Sequence, residues 1–101
     1  MATVYVVNKG GHDFSSAKNY GKLVFLTEGH YSPFAVDKMY REMARKLKDS
    51  NPEDFILCTG LTIMNSIACS CFAMKHGGKL NMLLFRNGRY IQRTLMVGEL
   101  I

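Results

Sequence analysis

The sequence predicts one α/β domain, residues 1–101, with a mixed five-stranded sheet and a C-terminal antiparallel hairpin. Short runs rich in β-branched and aromatic residues indicate strands, and two longer stretches with helical spacing separate them. The dipeptide Asn87-Gly88 lies between two final β-rich runs, which is the strongest local signal for a hairpin. The predicted order is β-β-α-β-α-β-β. Because helices between strands favour right-handed crossovers, we expect the second, third and fourth strands to pair in parallel.

The first two strands are predicted at Thr3–Val7 and Lys22–Thr27. The second is apolar on both faces, which suits a central position in the sheet. The segment Asn8–Gly21 between them is rich in Gly, Ser, Asn and Lys. It is predicted as a loop with a turn of helix at Ser15–Asn19.

The first helix is predicted to begin at Ser32-Pro33, because a hydroxyl cap followed by proline is typical of a helix start. Asp49-Ser50-Asn51-Pro52 ends it. Apolar residues repeat at spacings of three and four and form one stripe: Val36, Met39, Tyr40, Met43, Ala44 and Leu47.

The third strand is predicted at Phe55–Cys58, and Thr62 is the expected N-cap of a helix that runs to Lys75. This helix is apolar almost all round, so we expect it to be buried. Its small residues would allow close approach to a sheet or to a partner helix: Ser66, Cys69, Ser70 and Ala73. The hairpin strands are predicted at Leu80–Phe85 and Tyr90–Val97.

The composition excludes a disordered tail, a collagen-like chain and a disulfide scaffold, since 48% of the residues are hydrophobic and 21% are charged. Three cysteines without a Cys-x-x-Cys pair predict buried thiols in a reducing cytoplasm, the host cytoplasm if the protein is viral. No metal site and no cofactor are predicted. The formal charge of +5 allows an anionic partner and is the only support for direct nucleic-acid binding.

The run from Phe55 to Met74 has no charged residue and is long enough to span a bilayer. It contains a glycine break and several polar residues, and a β-rich segment follows it directly. These features favour a strand and a helix in a protein that does not enter a membrane.

Ligands in parallel sheets bind beyond the carboxyl ends of the strands, where helix N-termini present unpaired N–H groups. Two groups of residues are expected there: Thr27, Glu28, Gly29 and His30 after the second strand, and Thr59, Gly60, Leu61 and Thr62 after the third. The Thr-Gly-Leu-Thr turn before a helix suits a phosphate. The alternative is an ordinary strand-to-helix turn. It is not a P-loop, since the Gly-Lys-Ser/Thr end is missing.

Three residues are candidates for proton transfer, namely His30, His12 and Glu28. If the first strand runs parallel to its neighbours, the loop after it adds Asn8, Lys9 and two glycines whose N–H groups would suit an anion. Lys18 and Lys22 bring further positive charge. This loop either closes over a ligand or is a plain surface loop.

Asn65 lies one turn into the second helix, where its polar amide must find a partner. That partner is either a neighbouring backbone group or a ligand. Asn65 is therefore included among the candidate ligand-binding residues.

The segment FILCTGLTIMNSIACSCFAMKHG, followed by LNMLLF, resembles a motif of the CRISPR-associated Rossmann-fold sensor domains, the CARF family. In that motif a strand ends in Thr-Gly, and x-Thr-x-Met and a helix rich in small residues follow. The match covers residues 55–85 and includes Thr59, Gly60, Thr62 and Met64; Ile63 stands where the motif often has a basic residue. The resemblance implies binding of a cyclic oligoadenylate across a homodimer, with cleavage without a metal in some members.

The whole chain also resembles a small phage-encoded accessory protein, for which binding a nucleotide signal would serve antiviral counter-defence. The leading hypothesis is thus a cytoplasmic, homodimeric module that binds a nucleotide or other phosphorylated ligand, cyclic oligonucleotides included. Thr59, Gly60 and Thr62 would contact phosphate, and Lys9, His12 and His30 would close over it. The alternatives are a metal-independent phosphodiesterase and a protein-interaction protein, inhibitor or accessory, without a small ligand.

Overall fold

The computed structural model describes residues 1–101 and confirms a mixed α/β fold with a five-stranded sheet. The elements along the chain are β1 (Thr3–Val6), β2 (Lys22–Phe25), α1 (Val36–Leu47), β3 (Phe55–Leu57), α2 (Thr62–Lys75), β4 (Lys79–Arg86) and β5 (Arg89–Met96). A short 3-10 helix at Ser15–Asn19 lies in the β1–β2 connection, as predicted. Neither α-helix has the length and apolar character needed to cross a bilayer.

The sheet has the strand order β2-β1-β3-β4-β5. β1 pairs in parallel with both β2 and β3, β3 pairs in parallel with β4, and β5 is antiparallel to β4. The expectation that the second strand pairs with the third and lies centrally is wrong. β1 occupies that place because its residues are buried on both faces, whereas β2 is a four-residue edge strand that begins with an exposed lysine.

The two faces of the sheet are covered by different connections. The chain moves along the sheet in one direction from β1 to β2 and in the other direction from β2 to β3 and β4. Right-handed crossovers therefore place the β1–β2 connection on one face and both helices on the other. The core on the helix face includes Tyr5, Val7, Met39, Met43, Ile56 and Phe72. The core on the opposite face includes Val4, Val6, Phe14, Ala17, Leu57 and Tyr90.

The hairpin between β4 and β5 confirms the prediction from Asn87-Gly88. Both residues have positive φ angles, 50° and 83°, which a two-residue type I′ turn requires. The register places Arg86 opposite Arg89 and continues without a bulge to Lys79 opposite Met96.

The predicted N-caps of both helices are wrong. α1 begins at Val36, and Ser32 instead accepts the N–H of Phe34 at 3.2 Å in a short turn before the helix. Thr62 is the first residue of α2 and does not cap it. The carboxyl end of α1 is capped from α2, because the Lys75 ammonium donates to the carbonyls of Leu47, Lys48 and Ser50.

The expectation that α2 is buried all round is also wrong. Met64, Ala68, Phe72 and Ala73 are buried against the sheet, whereas the opposite side of the helix is exposed. No further layer covers that side, because the helix face of the sheet carries only α1 and α2, packed side by side.

A buried polar network links neighbouring strands of the sheet at the amino ends of its parallel strands. The Asp54 carboxylate accepts the N–H groups of Thr3 and Asn51, each at 2.8 Å. The Asn81 amide donates to the carbonyls of Pro52 and Asp54 at 2.8 and 3.0 Å, and Thr94 donates to Asn81 at 2.8 Å. These bonds join β1, β3, β4 and β5 at one edge.

We expect Asn81→Ala to lower the free energy of unfolding by about 2–3 kcal/mol, because it leaves a buried carbonyl without a donor. Urea denaturation measures this change. Gln92→Ala, an exposed position in the same hairpin, is the control and should shift stability by less than about 0.5 kcal/mol. Equal effects of the two substitutions would show that the network contributes nothing.

Candidate functional site

The carboxyl ends of the parallel strands form the opposite edge of the sheet, which we call the rim. Asn8 follows β1, Gly29 lies in the segment after β2, and Thr59 and Gly60 follow β3. The strand register therefore brings the two predicted glycine turns to the same edge. Ligands of open α/β sheets bind at such an edge, where connections leave adjacent strands toward opposite faces.

Asn8 occupies the centre of the rim and contacts both glycine turns. Its Nδ2 donates to the Gly29 carbonyl at 3.2 Å, and its Oδ1 accepts the Thr27 hydroxyl at 2.9 Å. Gly60 has a φ of 82° and packs so closely that a Cβ there would lie 3.1 Å from the Asn8 Cβ. Asn8 thus fills the crevice between β1 and β3 rather than lining an open cavity.

The turn that leads into α2 is fixed by Asn65. Its Oδ1 accepts the Thr59 N–H at 2.9 Å, and its Nδ2 donates to the carbonyls of Thr59 and Leu61 at 3.1 and 2.9 Å. Two kinds of partner were expected for this amide, a backbone group or a ligand. All three partners in the structure are backbone groups. Asn65 therefore determines the position of the residues on either side of Gly60.

The two threonines of this turn face different cavities. Thr59 lines a cleft of 280 Å³ together with Leu57, Phe85, Tyr90 and the loop His12–Phe14. Thr62 lines a groove of 640 Å³ on the helix side of the rim, beside Phe34. Thr59, Gly60 and Thr62 hence do not present a single surface to one phosphate.

A more basic cavity lies on the sheet face that carries the 3-10 helix. It has a volume of 690 Å³, and we call it the basic pocket. The lining residues with charged or titratable side chains are Lys9, His12, Asp13, Lys18 and Lys22. The β1–β2 connection and the start of β2 supply all of them, so that distant lysines of one loop converge on one cavity.

Aromatic rings form one wall of the basic pocket. The Lys9 ammonium lies over the Phe25 ring, 5.2 Å from its centroid. The rings of Phe14 and Phe25 pack with centroids 6.0 Å apart, and the His12 ring meets Phe14 at 6.2 Å. This aromatic wall is not predictable from the sequence, because Phe14 lies within the β1–β2 connection and Phe25 in β2, and no spacing pattern links them.

Asp13 is the one acidic residue of the basic pocket. The Ser15 N–H donates to its carboxylate at 2.9 Å, and this bond, with a smaller contribution from the Lys18 charge, lowers the pKa of Asp13. Burial, together with the Asp13 charge, raises the pKa of the neighbouring Tyr90. Asp13 consequently stays ionised at neutral pH and offsets part of the lysine charge.

The three candidates for proton transfer occupy different places. His12 lines both the basic pocket and the cleft beside Thr59. His30 and Glu28 are exposed in the segment after β2 and line neither of these cavities. The structure therefore brings Lys9 and His12 to one cavity. Glu28 pairs with Lys9 through the backbone but, like His30, does not line that cavity.

We expect Asn65→Ala to lower the free energy of unfolding by about 2 kcal/mol in the absence of any ligand, since three hydrogen bonds to the turn are lost. Chemical denaturation measures the effect. Ser66→Ala, one residue further along α2, is the matched control and should be nearly neutral. An Asn65→Ala protein as stable as the parent would contradict a structural role for this amide.

No curated protein and no solved structure matches the chain. The family of phage Pam3 gp32-like proteins matches residues 2–96, which is nearly the whole chain. This match confirms the expected resemblance to a small phage protein, whereas no resemblance to the CARF family is found. The chain belongs to the phage Pam3 gp32-like protein family.

Proposed function

We propose that this phage protein binds a phosphorylated small ligand of the nucleotide class in the basic pocket. The observation that carries the proposal is the convergence of Lys9, Lys18 and Lys22 on one cavity with an aromatic wall. The ligand class is the one predicted from the sequence, but its phosphate lies in the basic pocket instead of at the Gly60 turn.

The charges favour an anion in this pocket. Three lysines line it, and Asp13 is the only acidic residue among the lining residues. Lysine is a common phosphate ligand because its compact charge and three donors adapt to tetrahedral oxygen groups. A phosphate would thus relieve the mutual repulsion of the lysines.

The aromatic wall favours a base next to the phosphate. The Phe25 side chain is half-buried, and the Lys9 ammonium already lies over its ring. Phosphate would draw Lys9 away from the ring and leave the ring face free for base stacking, which is independent of base identity. The volume of 690 Å³ lies within the range of small-molecule sites, roughly 300–1,000 Å³.

The cleft beside Thr59 gives such a ligand room to extend. It shares His12, Asp13 and Phe14 with the basic pocket, so the two cavities adjoin across one stretch of loop. A ligand with a second nucleotide would reach Thr59 along this path. This geometry is the support for including dinucleotides and the cyclic oligonucleotides implied by the CARF-like motif among the ligands to be tested.

We expect nucleotides to bind more tightly than inorganic phosphate, and Lys18→Gln to weaken nucleotide binding about tenfold, as loss of a charged donor predicts. Calorimetric titration with phosphate, mononucleotides and cyclic oligonucleotides measures the affinities. Amide NMR shifts should locate the ligand between Lys9 and Phe25. The loss of affinity caused by Lys18→Gln should become smaller as the salt concentration rises, because the lysines are exposed.

Arg41→Gln is the control, since Arg41 is an exposed cation on α1 away from the basic pocket. It should leave every affinity unchanged. The proposal fails if no probe binds at high protein concentration, or if Lys18→Gln and Arg41→Gln weaken binding equally. Binding of only long single- or double-stranded nucleic acid would instead indicate nonspecific attraction by the net charge.

A further inference from the structure

The outer surface of α1 and α2 carries a second large cavity, far from the basic pocket and on the other face of the sheet. It is a groove of 710 Å³ between the two helices, which we call the helix groove. Its apolar lining includes Val36, Tyr40, Ala44, Ile67, Cys71 and Met74. Tyr40 is 53% exposed and Met74 is 85% exposed, which is unusual for large apolar side chains in a helix pair.

The α2 side of the helix groove has few polar groups that are free to bind a partner. α2 has no charged residue between Thr62 and Met74. The Ser66 hydroxyl donates to the Thr62 carbonyl at 3.2 Å, and the Ser70 hydroxyl donates to the Ser66 carbonyl at 2.7 Å. Because these hydroxyls are satisfied within their own helix, the surface suits close packing of another apolar element.

The total accessible surface is slightly larger than expected, with exposed apolar residues at the helix groove and also on the hairpin and the C-terminal segment. The chain exposes 6352 Å², whereas a folded monomer of 11.4 kDa is expected to expose about 5,800 Å². Only 25 of the 101 residues are buried. The single chain therefore leaves more surface in water than its size requires.

Opposite charges lie at the two ends of the helix groove. Asp37 lines the end at the start of α1, and Lys48 and Lys75 line the other end, just after α1 and at the end of α2. Asp37 and Lys48 are eleven positions apart, which corresponds to about 16 Å along a helix. Both side chains are exposed, so either can contact a molecule seated in the groove.

We propose that the occupant of the helix groove is a second copy of this chain, with the two α1 helices antiparallel across a two-fold axis. An axis in the interface and perpendicular to α1 places Asp37 of each copy beside Lys48 of the other, so the pair forms twice. It also opposes the helix dipoles. An axis parallel to α1 would instead bring like charges together, and the charges thus select the antiparallel arrangement.

The apolar side chains complete this arrangement. Tyr40 and Met74 project from one copy, and the small residues Ser66 and Ser70 on the other copy leave room for them. The interface lies on the helix face, so both basic pockets remain open in the dimer. The dimer is therefore independent of the proposed ligand, and the two proposals can be tested separately.

The test is a charge exchange followed by sedimentation equilibrium of the full chain. The parent protein should have twice the mass of the 11.4 kDa chain at micromolar concentration. Asp37→Lys and Lys48→Asp should each weaken dimerisation about tenfold, since each replaces two attractive contacts by repulsive ones. The double variant should regain dimerisation, because the exchanged charges again face each other.

Folding effects are separated by the same set of variants. Unfavourable helix-dipole effects of the two substitutions would add in the double variant, whereas an intermolecular pair is restored in it. Arg45→Glu, an exposed charge reversal on α1 outside the helix groove, should leave the dimer unchanged. Ser70→Arg should give a monomer with an unchanged circular dichroism spectrum.

Three results would overturn the proposal. The first is a monomer at concentrations up to about 0.5 mM, which would leave the groove to another partner. The second is a dimer that Ser70→Arg and both single charge reversals leave intact, which would assign dimerisation to another surface such as the exposed edge of β5. The third is a double variant weaker than either single variant.

Discussion

The position of β1 between β2 and β3 determines how the rest of the molecule is arranged. Parallel neighbours require crossovers, and crossovers are right-handed. Because the chain moves one way along the sheet from β1 to β2 and the other way from β2 to β4, its connections must divide between the two faces. The glycine- and lysine-rich connection covers one face alone, and α1 and α2 share the other. The basic pocket and the helix groove lie on opposite faces for this reason.

Two asparagines adapt the rim to this topology. Asn8 follows the central strand and connects the segments after β2 and β3, and Asn65 fixes the turn before α2 from within the helix. Each amide satisfies backbone groups that strand pairing cannot reach, which is the usual requirement at an edge where strands end. Their effect is to close the crevice above the sheet. Open space therefore lies beside the rim, in the basic pocket on one face of the sheet and in the groove at the start of α2 on the other.

Local chemistry made much of the fold predictable from the sequence. Asn87-Gly88 specifies its turn through backbone conformation alone, and the apolar spacing from Met39 to Leu47 specifies the buried side of α1. Strand order was not predictable, because β1 and β2 are both apolar on two faces and differ only in what covers them. The residue types of the basic pocket were predictable, because Lys9, Lys18 and Lys22 all lie in or next to the loop after β1. Its location was not, because the sequence indicates the helical turn at Ser15–Asn19 but not the packing of the loop against Phe25.

The two proposals together lead to a different arrangement from the one that the CARF-like motif implies. That motif implies one cyclic ligand shared across a homodimer. If two copies meet through the helix groove, their basic pockets face away from each other, on the outer surfaces of the two sheets. Each chain then binds its own ligand, and neither pocket needs residues from the other copy. Coupling between the pockets would have to pass through the two sheets. The polar network at Asp54 and Asn81 and the close packing around β1 make each sheet rigid, so a sheet has no second conformation that could transmit a change. Independent sites, one per chain, are thus the arrangement that this topology favours.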